Sequence, residues 1–107
     1  MRFIGAMSRR RVYRDETIAV MQRFFQAIDF LISAEQLRGI QTFCNTYEID
    51  KRHFYHQKND LNKGFFEIYW IIPLIKDFNV SEKWLLLGTG RMFVAKSNSK
   101  SEPKDEK

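Results

Sequence analysis

The chain has 107 residues and one cysteine, with 44% hydrophobic and 15% aromatic residues. This length suits one domain and excludes a two-domain enzyme or receptor, while the apolar fraction is sufficient for a compact core. A lone cysteine excludes an internal disulfide and a zinc site built of thiolates alone, and it favours a reducing cytoplasm over secretion. Neither a signal peptide nor a membrane span is expected, so the sequence predicts a cytoplasmic protein.

The net charge of +5 is unevenly distributed along the chain. Residues 1–15 carry a net charge of +4, residues 16–93 are neutral, and residues 94–107 carry +1. A second basic locus lies at residues 51–64, which have four lysines or arginines and two histidines against one aspartate. Basic segments favour polyanions, although surplus cations often serve only solubility. We expect a basic N-terminal arm over 1–15, one domain over 16–93 and a disordered tail over 94–107.

The first predicted element is an amphipathic helix over residues 17–33, because apolar residues recur there at spacings of three and four. We expect this helix to end near Ser33 or Ala34, and a second, shorter helix to follow Gly39 over residues 40–47. The apolar positions of the first helix are Ile18, Met21, Phe24, Phe25, Ile28, Leu31 and Ile32.

A third helix is predicted over residues 51–58. Asp50 is a strong N-cap candidate, because its carboxylate can accept the free amide hydrogens of the first turn. Ile49 and Phe54 stand one residue before the cap and four after it, which is the spacing of a hydrophobic staple. Phe54 therefore faces the core.

The turn-forming residues at 59–64 indicate a loop. Residues 65–78 are apolar nearly all round, and this pattern predicts a central buried helix. Pro73 costs ~3 kcal/mol in a helix interior, so we expect either a kink or a helix start shifted toward it. Ser81 is expected to cap a last short helix that carries Trp84 and ends at a glycine turn. The prediction is an all-α fold of five helices.

The two short helices at 40–47 and 51–58 are joined by about three residues, which is the helix-turn-helix layout. The outer side of the second one carries cationic and amide donors that can read base edges in a DNA major groove. A solvated helix face is also usually charged, so both interpretations stay open. The side chains opposite Phe54 are Lys51, Arg52, Tyr55, His56 and Asn59, and His53 and Lys58 complete the candidate DNA-binding set on this helix.

Two segments carry a resemblance to a known family. Residues 38–60, RGIQTFCNTYEIDKRHFYHQKND, and residues 70–93, WIIPLIKDFNVSEKWLLLGTGRMF, resemble the Cro and phage-repressor (XRE) class of helix-turn-helix proteins. The form is the one common in mobile elements of Bacteroides-like bacteria. The resemblance covers roughly residues 21–93, and the Val-Ser, Trp-Leu-Leu, Gly-x-Gly, Met pattern is its most specific part. It implies a five-helix lambda-repressor-like domain.

The resemblance also implies a function and site residues. It implies a sequence-specific DNA-binding transcriptional regulator of prophage or mobile-element origin, with no catalysis and no cofactor. The family's base-contacting positions fall on Lys51, Arg52 and His56, and its phosphate-contacting position falls on Ile40 or Gln41, of which only Gln41 has a side-chain donor.

The family has small residues at the helix crossing and in the turn, and this chain follows that pattern at the crossing but departs from it in the turn. Cys44 stands where the family has a small residue at the crossing of the two helices. Glu48 replaces the family's usual turn glycine, and a left-handed Glu is strained.

The basic arm is a second expected contact with DNA. Flexible basic arms can lie along phosphates or enter a minor groove. The arginines of the arm that we assign to this role are Arg9, Arg10, Arg11 and Arg14.

The same residues admit other functions. His53 and His56 with Cys44 could imitate a metal site, but no fourth ligand is evident, and a helix-interior Cys44 is more often inert than nucleophilic. A protein-interaction module of antitoxin or adaptor type on the same fold and a nonspecific nucleic-acid binder are the alternatives to a regulator.

We also expect a homodimer on DNA, because one short helix reads too few bases for specificity across a genome. The expected interface is an apolar C-terminal surface of Leu86, Leu87, Met92 and Phe93. The competing interpretation is that Met92 and Phe93 fold back onto their own core.

Overall fold

The computed structural model describes residues 13–94. Within this range the chain forms four α-helices, a 3-10 turn and a π-helical segment, with no strand. The predicted all-α class is therefore confirmed. No helix in this range is both long enough and apolar enough to cross a lipid bilayer. The elements are α1 (Asp15–Ser33), α2 (Ile40–Tyr47), α3 (Lys51–Asn59), the 3-10 turn (Ile68–Trp70), α4 (Ile72–Asp77) and the π-helical segment (Lys83–Leu87).

Helix α1 is the central element. It begins two residues before the predicted start, where Asp15 and Glu16 place negative charge at the positive end of the helix dipole. It ends at Ser33 as predicted, and the backbone N–H groups of Gln36 and Leu37 then donate to the Leu31 carbonyl. The side chains that α1 buries are Met21, Phe24, Phe25, Ala27, Ile28 and Leu31.

The core of the domain is aromatic. Phe24 has no exposed surface, and the centroid of its ring lies between 5.0 and 6.4 Å from five other aromatic rings. Most of these pairs are edge-to-face or tilted, which is the arrangement that aromatic quadrupoles favour. Because four of the five rings lie outside α1, Phe24 links α1 to α2, α3 and the 65–70 segment. The five rings belong to Phe25, Phe43, Phe54, Phe66 and Trp70.

The predicted buried helix does not extend over all of residues 65–78, because its start is shifted toward Pro73, which was one of the two expected outcomes. Phe65 and Phe66 lie in a loop, a 3-10 turn follows, and α4 begins only at Ile72. Pro73 explains the late start, because the first turn of a helix is where its missing N–H removes no hydrogen bond. The segment is also not buried all round, since Ile68 is 69% exposed.

The last predicted helix is present but is wound more widely than an α-helix. Ser81 Oγ accepts the Trp84 N–H at 3.3 Å, so the predicted cap is confirmed. The carbonyls of Leu85 and Leu86, at the end of the π-helical segment, accept the Arg23 guanidinium at 2.8 and 3.2 Å. The Arg23 side chain of α1 therefore satisfies two carbonyls at the C-terminal end of this segment.

Residues 91–94 return to the body of the domain. Phe93 forms an antiparallel bridge with Val80, and the Ser81 N–H donates to the Met92 carbonyl at 2.7 Å. The Phe93 ring lies 5.4 Å from the Phe30 ring. Met92 and Phe93 thus fold back onto their own core, as the competing interpretation held, whereas Leu86 and Leu87 stay exposed.

Candidate nucleic-acid interface

Helices α2 and α3 are joined by a three-residue turn. Glu48 adopts the left-handed conformation (φ 58°, ψ 45°), and the N–H of the following Ile49 donates to the Cys44 carbonyl at 2.9 Å. A left-handed residue after a helix is a common way to satisfy its last carbonyls, although glycine adopts it at lower cost. The turn directs Ile49 into the core and lets α3 begin at once.

Asp50 caps the start of α3, as the sequence predicted. Its Oδ1 accepts the His53 N–H at 3.1 Å. This hydrogen bond holds the pKa of the Asp50 carboxyl below its ordinary value. The carboxylate also stabilises the positive end of the α3 dipole.

The outer face of α3 is polar and open to solvent. Phe54 on the inner face has no exposed surface and packs among Phe24, Phe25 and Trp70. The structure places all five side chains that were predicted opposite Phe54 in the exposed class. We call these the reading face: Lys51, Arg52, Tyr55, His56 and Asn59.

The other two predicted residues of α3 are engaged with the protein. The His53 ring stacks on Phe65, with centroids 4.2 Å apart and planes 8° apart. Its side chain stays 45% exposed, so His53 borders the reading face with a fixed ring plane. Lys58 Nζ lies 3.6 Å from Asp29 on α1, an exposed pairing that contributes at most ~1 kcal/mol.

Gln41 and Ile40, the alternatives for a phosphate contact on α2, have different environments. Ile40 packs against the core, while Gln41 is exposed in the first turn of α2. Gln41 is therefore the one of the two that can meet a ligand. Arg14 is exposed at the N-cap of α1, and Arg9, Arg10 and Arg11 lie outside the described residues, as does the expected tail beyond Val94.

Two residues that support the site were not assigned to it from the sequence. Gln57 is buried on the inner side of α3, and Phe65 lies beneath His53 and His56. Helical spacing contains a signal for Gln57, because it stands three residues after the buried Phe54. The position of Phe65 depends on a loop and has no such signal.

Cys44 lies beneath this face and not on it. Its side chain is buried, and desolvation raises the pKa of the thiol to about 11. The thiol is therefore protonated at neutral pH, and the thiolate is the form that attacks substrates and binds metals. Within residues 13–94, no three His, Cys, Asp or Glu side chains are grouped so that they could hold a metal ion.

Comparison of the chain with family models, with curated proteins and with solved structures found no match.

Proposed function

We propose that the protein is a sequence-specific DNA-binding regulator whose α3 helix enters the major groove. The observation that carries the proposal is the division of α3 into two sides. Phe54 and Gln57 have no exposed surface, and the five polar side chains of the reading face are exposed. An α-helix fits a major groove, and lysine, arginine, histidine and asparagine side chains can donate hydrogen bonds to base edges.

The charge of the site agrees with a polyanionic partner. The cations on α3 or in the loop after it are Lys51, Arg52, Lys58 and Lys63, and the carboxylates at the ends of α3 are Asp50 and Asp60. Each carboxylate accepts a backbone N–H, from His53 and Asn62, and the cations outnumber the two carboxylates. The locus is thus suited to phosphates on both sides of a groove.

The resemblance to Cro and phage-repressor proteins extends the proposal to a repressor of prophage or mobile-element origin with a lambda-repressor-like fold. The compact α2–α3 turn and the capped α3 support the lambda-repressor-like fold in this proposal. We further propose that the protein acts as a homodimer on paired half-sites, because α3 has only nine residues.

Selection of bound duplexes from a random pool tests the function directly. The full-length protein should enrich one motif, and binding to that motif should exceed binding to a random duplex by at least ~10³-fold. Enrichment of no motif, with salt-sensitive binding to every duplex, would instead identify a nonspecific nucleic-acid binder.

A protein-interaction module is the second candidate, and a specific surface favours it. Tyr69 and Ile72 are 48% and 43% exposed, and they line one surface pocket together with Tyr47 and Pro73. Exposed apolar side chains that cluster in this way are typical of protein interfaces. In this case Tyr69→Ser with Ile72→Ser would abolish binding of the protein partner, while Arg52→Ala would leave that binding unchanged.

A further inference from the structure

We infer that Gln57 is a positioning residue that orients His53 at the edge of the reading face, an inference that rests on the proposed function. Gln57 has no exposed surface although its side chain is an amide. A buried amide costs free energy unless its donors and acceptor are satisfied, so its partners indicate what it does.

The Gln57 amide joins both ends of the loop after α3. Its Nε2 donates to the Leu61 carbonyl at 2.8 Å and contacts Met21 Sδ at 3.3 Å. Its Oε1 accepts the Phe65 N–H at 2.9 Å. One side chain therefore sets the separation of Leu61 and Phe65 and anchors both to α1.

Phe65 connects this buried hydrogen-bonded amide to the histidines at the surface of α3. Its ring lies parallel to the His53 ring at 4.2 Å and lies 6.0 Å from the His56 ring. His53 is one turn before Gln57 on α3, so the loop folds back over the helix that it follows. The Gln57 amide thus restrains the position of Phe65, and Phe65 restrains the plane of the His53 imidazole, whose Nδ1 also lies 3.9 Å from Asp50 Oδ2. A base contact depends on that plane because its hydrogen bonds are directional.

The first test is Gln57→Glu, observed through the His53 ring protons by NMR in the free protein. A protonated carboxyl can donate to the Leu61 carbonyl and accept from the Phe65 N–H, whereas a carboxylate can only accept. At acidic pH the variant should therefore show the wild-type, upfield-shifted His53 signals of a ring stacked on Phe65. At alkaline pH those signals should move toward their positions in Phe65→Leu, while the wild type at the same pH keeps the stack.

The second test is Gln57→Leu, with Gln26→Leu on the exposed side of α1 as the matched control. Binding is measured on the duplex selected by the wild type and on a random duplex of equal length. Gln57→Leu should reduce affinity for the selected duplex by roughly tenfold and leave random binding unchanged, because an altered base contact changes discrimination only. Gln26→Leu should change neither affinity.

The outcomes separate this inference from the proposed function. His53 signals that stay in place in both Gln57 variants would overturn the positioning role, whatever the DNA result. Full discrimination by Gln57→Leu on a motif that the wild type selects would overturn it too and leave the function intact. If the wild type selects no motif, the proposed function is wrong and the NMR result alone decides whether Gln57 orients His53. If Gln57→Leu does not fold, the pH series of Gln57→Glu decides.

Discussion

At the scale of single residues, neighbouring side chains of α3 lie in opposite environments, one buried and the others exposed. Phe54 is buried among aromatic rings, and Arg52 and Tyr55 are exposed on the other side of the same helix. A change at Phe54 is therefore expected to act on folding, while a change at Arg52 is expected to leave the core intact. This separation allows the reading face to be mutated without loss of the core.

Arg52→Ala should weaken binding to the selected duplex by ~1–3 kcal/mol and relax the preference at one base pair, because a bidentate arginine–guanine contact is worth about that much. Competition binding against duplexes mutated at each position measures both effects. Arg91→Ala is the matched control, since Arg91 is also exposed but lies outside α3. Equal loss of affinity for every duplex would show that Arg52 contacts the phosphate backbone and does not read a base.

Asp50 should make the stability of the domain depend on pH in the acid range. Its folded pKa lies below the ordinary value because the His53 N–H stabilises the carboxylate. The stabilisation is therefore complete above the unfolded pKa of ~3.9 and is lost as the pH falls through the folded pKa. Melting temperatures of the wild type and Asp50→Ala, which has no capping oxygen, should differ most at neutral pH and converge toward the acid end when measured between pH 2 and 7. A constant difference across this range would contradict the capping role.

At the scale of elements, the ends of helices determine how α2, α3 and the π-helical segment are arranged. Within residues 13–94, three non-glycine residues have positive φ, and Glu48 is the one that joins α2 to α3. The π-helical segment ends at Gly88, with φ 77°, close to the Arg23 guanidinium that accompanies its last carbonyls. Gly88 is therefore constrained both by its positive φ and by its contact with Arg23.

Gly88→Ala should lower the free energy of unfolding by more than Gly90→Ala does. Both glycines have positive φ, so each substitution introduces strain of ~1 kcal/mol. At Gly88 alone, an added Cβ lies 3.0 Å from Arg23 Nη1, whereas at Gly90 it meets nothing within 4 Å. The additional cost is the displacement of Arg23 from the Leu85 and Leu86 carbonyls, ~1 kcal/mol. Urea unfolding of the two variants measures the difference, and equal losses would show that Arg23 adjusts freely.

At the scale of the whole molecule, charge and exposed apolar surface are the features that concern partners. The positive excess belongs to residues 1–15, while residues 16–93 are neutral overall. Exposed leucines lie elsewhere, at the end of the π-helical segment. Under the proposed function, the first feature is expected to affect affinity for DNA, and the second is expected to affect self-association.

Replacing Arg9, Arg10 and Arg11 by glutamine should weaken binding to selected and random duplexes alike. The slope of log affinity against log salt should fall by ~0.9 for each phosphate that the arm no longer neutralises, so a decrease of about two to three is expected. Affinities on both duplexes at four salt concentrations provide this slope. An unchanged slope would show that the arm does not touch DNA.

Leu87→Asp should abolish cooperative binding to paired half-sites without unfolding the protein. Leu87 is 71% exposed, so a charge there leaves the core intact but opposes burial against a second copy. Val94→Asp, at a residue that is 51% exposed, is the matched control. Light scattering at rising concentration, with footprinting on the selected site, measures dimerisation. A wild type that is monomeric throughout and protects one undivided half-site would contradict the dimer.

Local chemistry made the first half of the domain predictable from the sequence. Apolar spacing, Gly39 and the Asp50 cap are features of neighbouring residues, and they located α1, α2 and α3 to within two residues at every boundary. The exposed reading face followed from the same periodicity, because a helix that buries Phe54 must present Arg52 and Tyr55 on its other side.

Only the tertiary structure decided the parts that depend on long-range contacts. Pro73 already predicted a late start for α4, but the loop at Phe65 depends on a tertiary contact, because the Gln57 side chain accepts the Phe65 N–H. The contacts of Gln57 and Phe65 form where α3 and the loop after it pack against α1. No local sequence pattern predicts that packing. Helix spacing specifies which side of α3 is buried, whereas the ring plane of His53 depends on a residue twelve positions further along the chain.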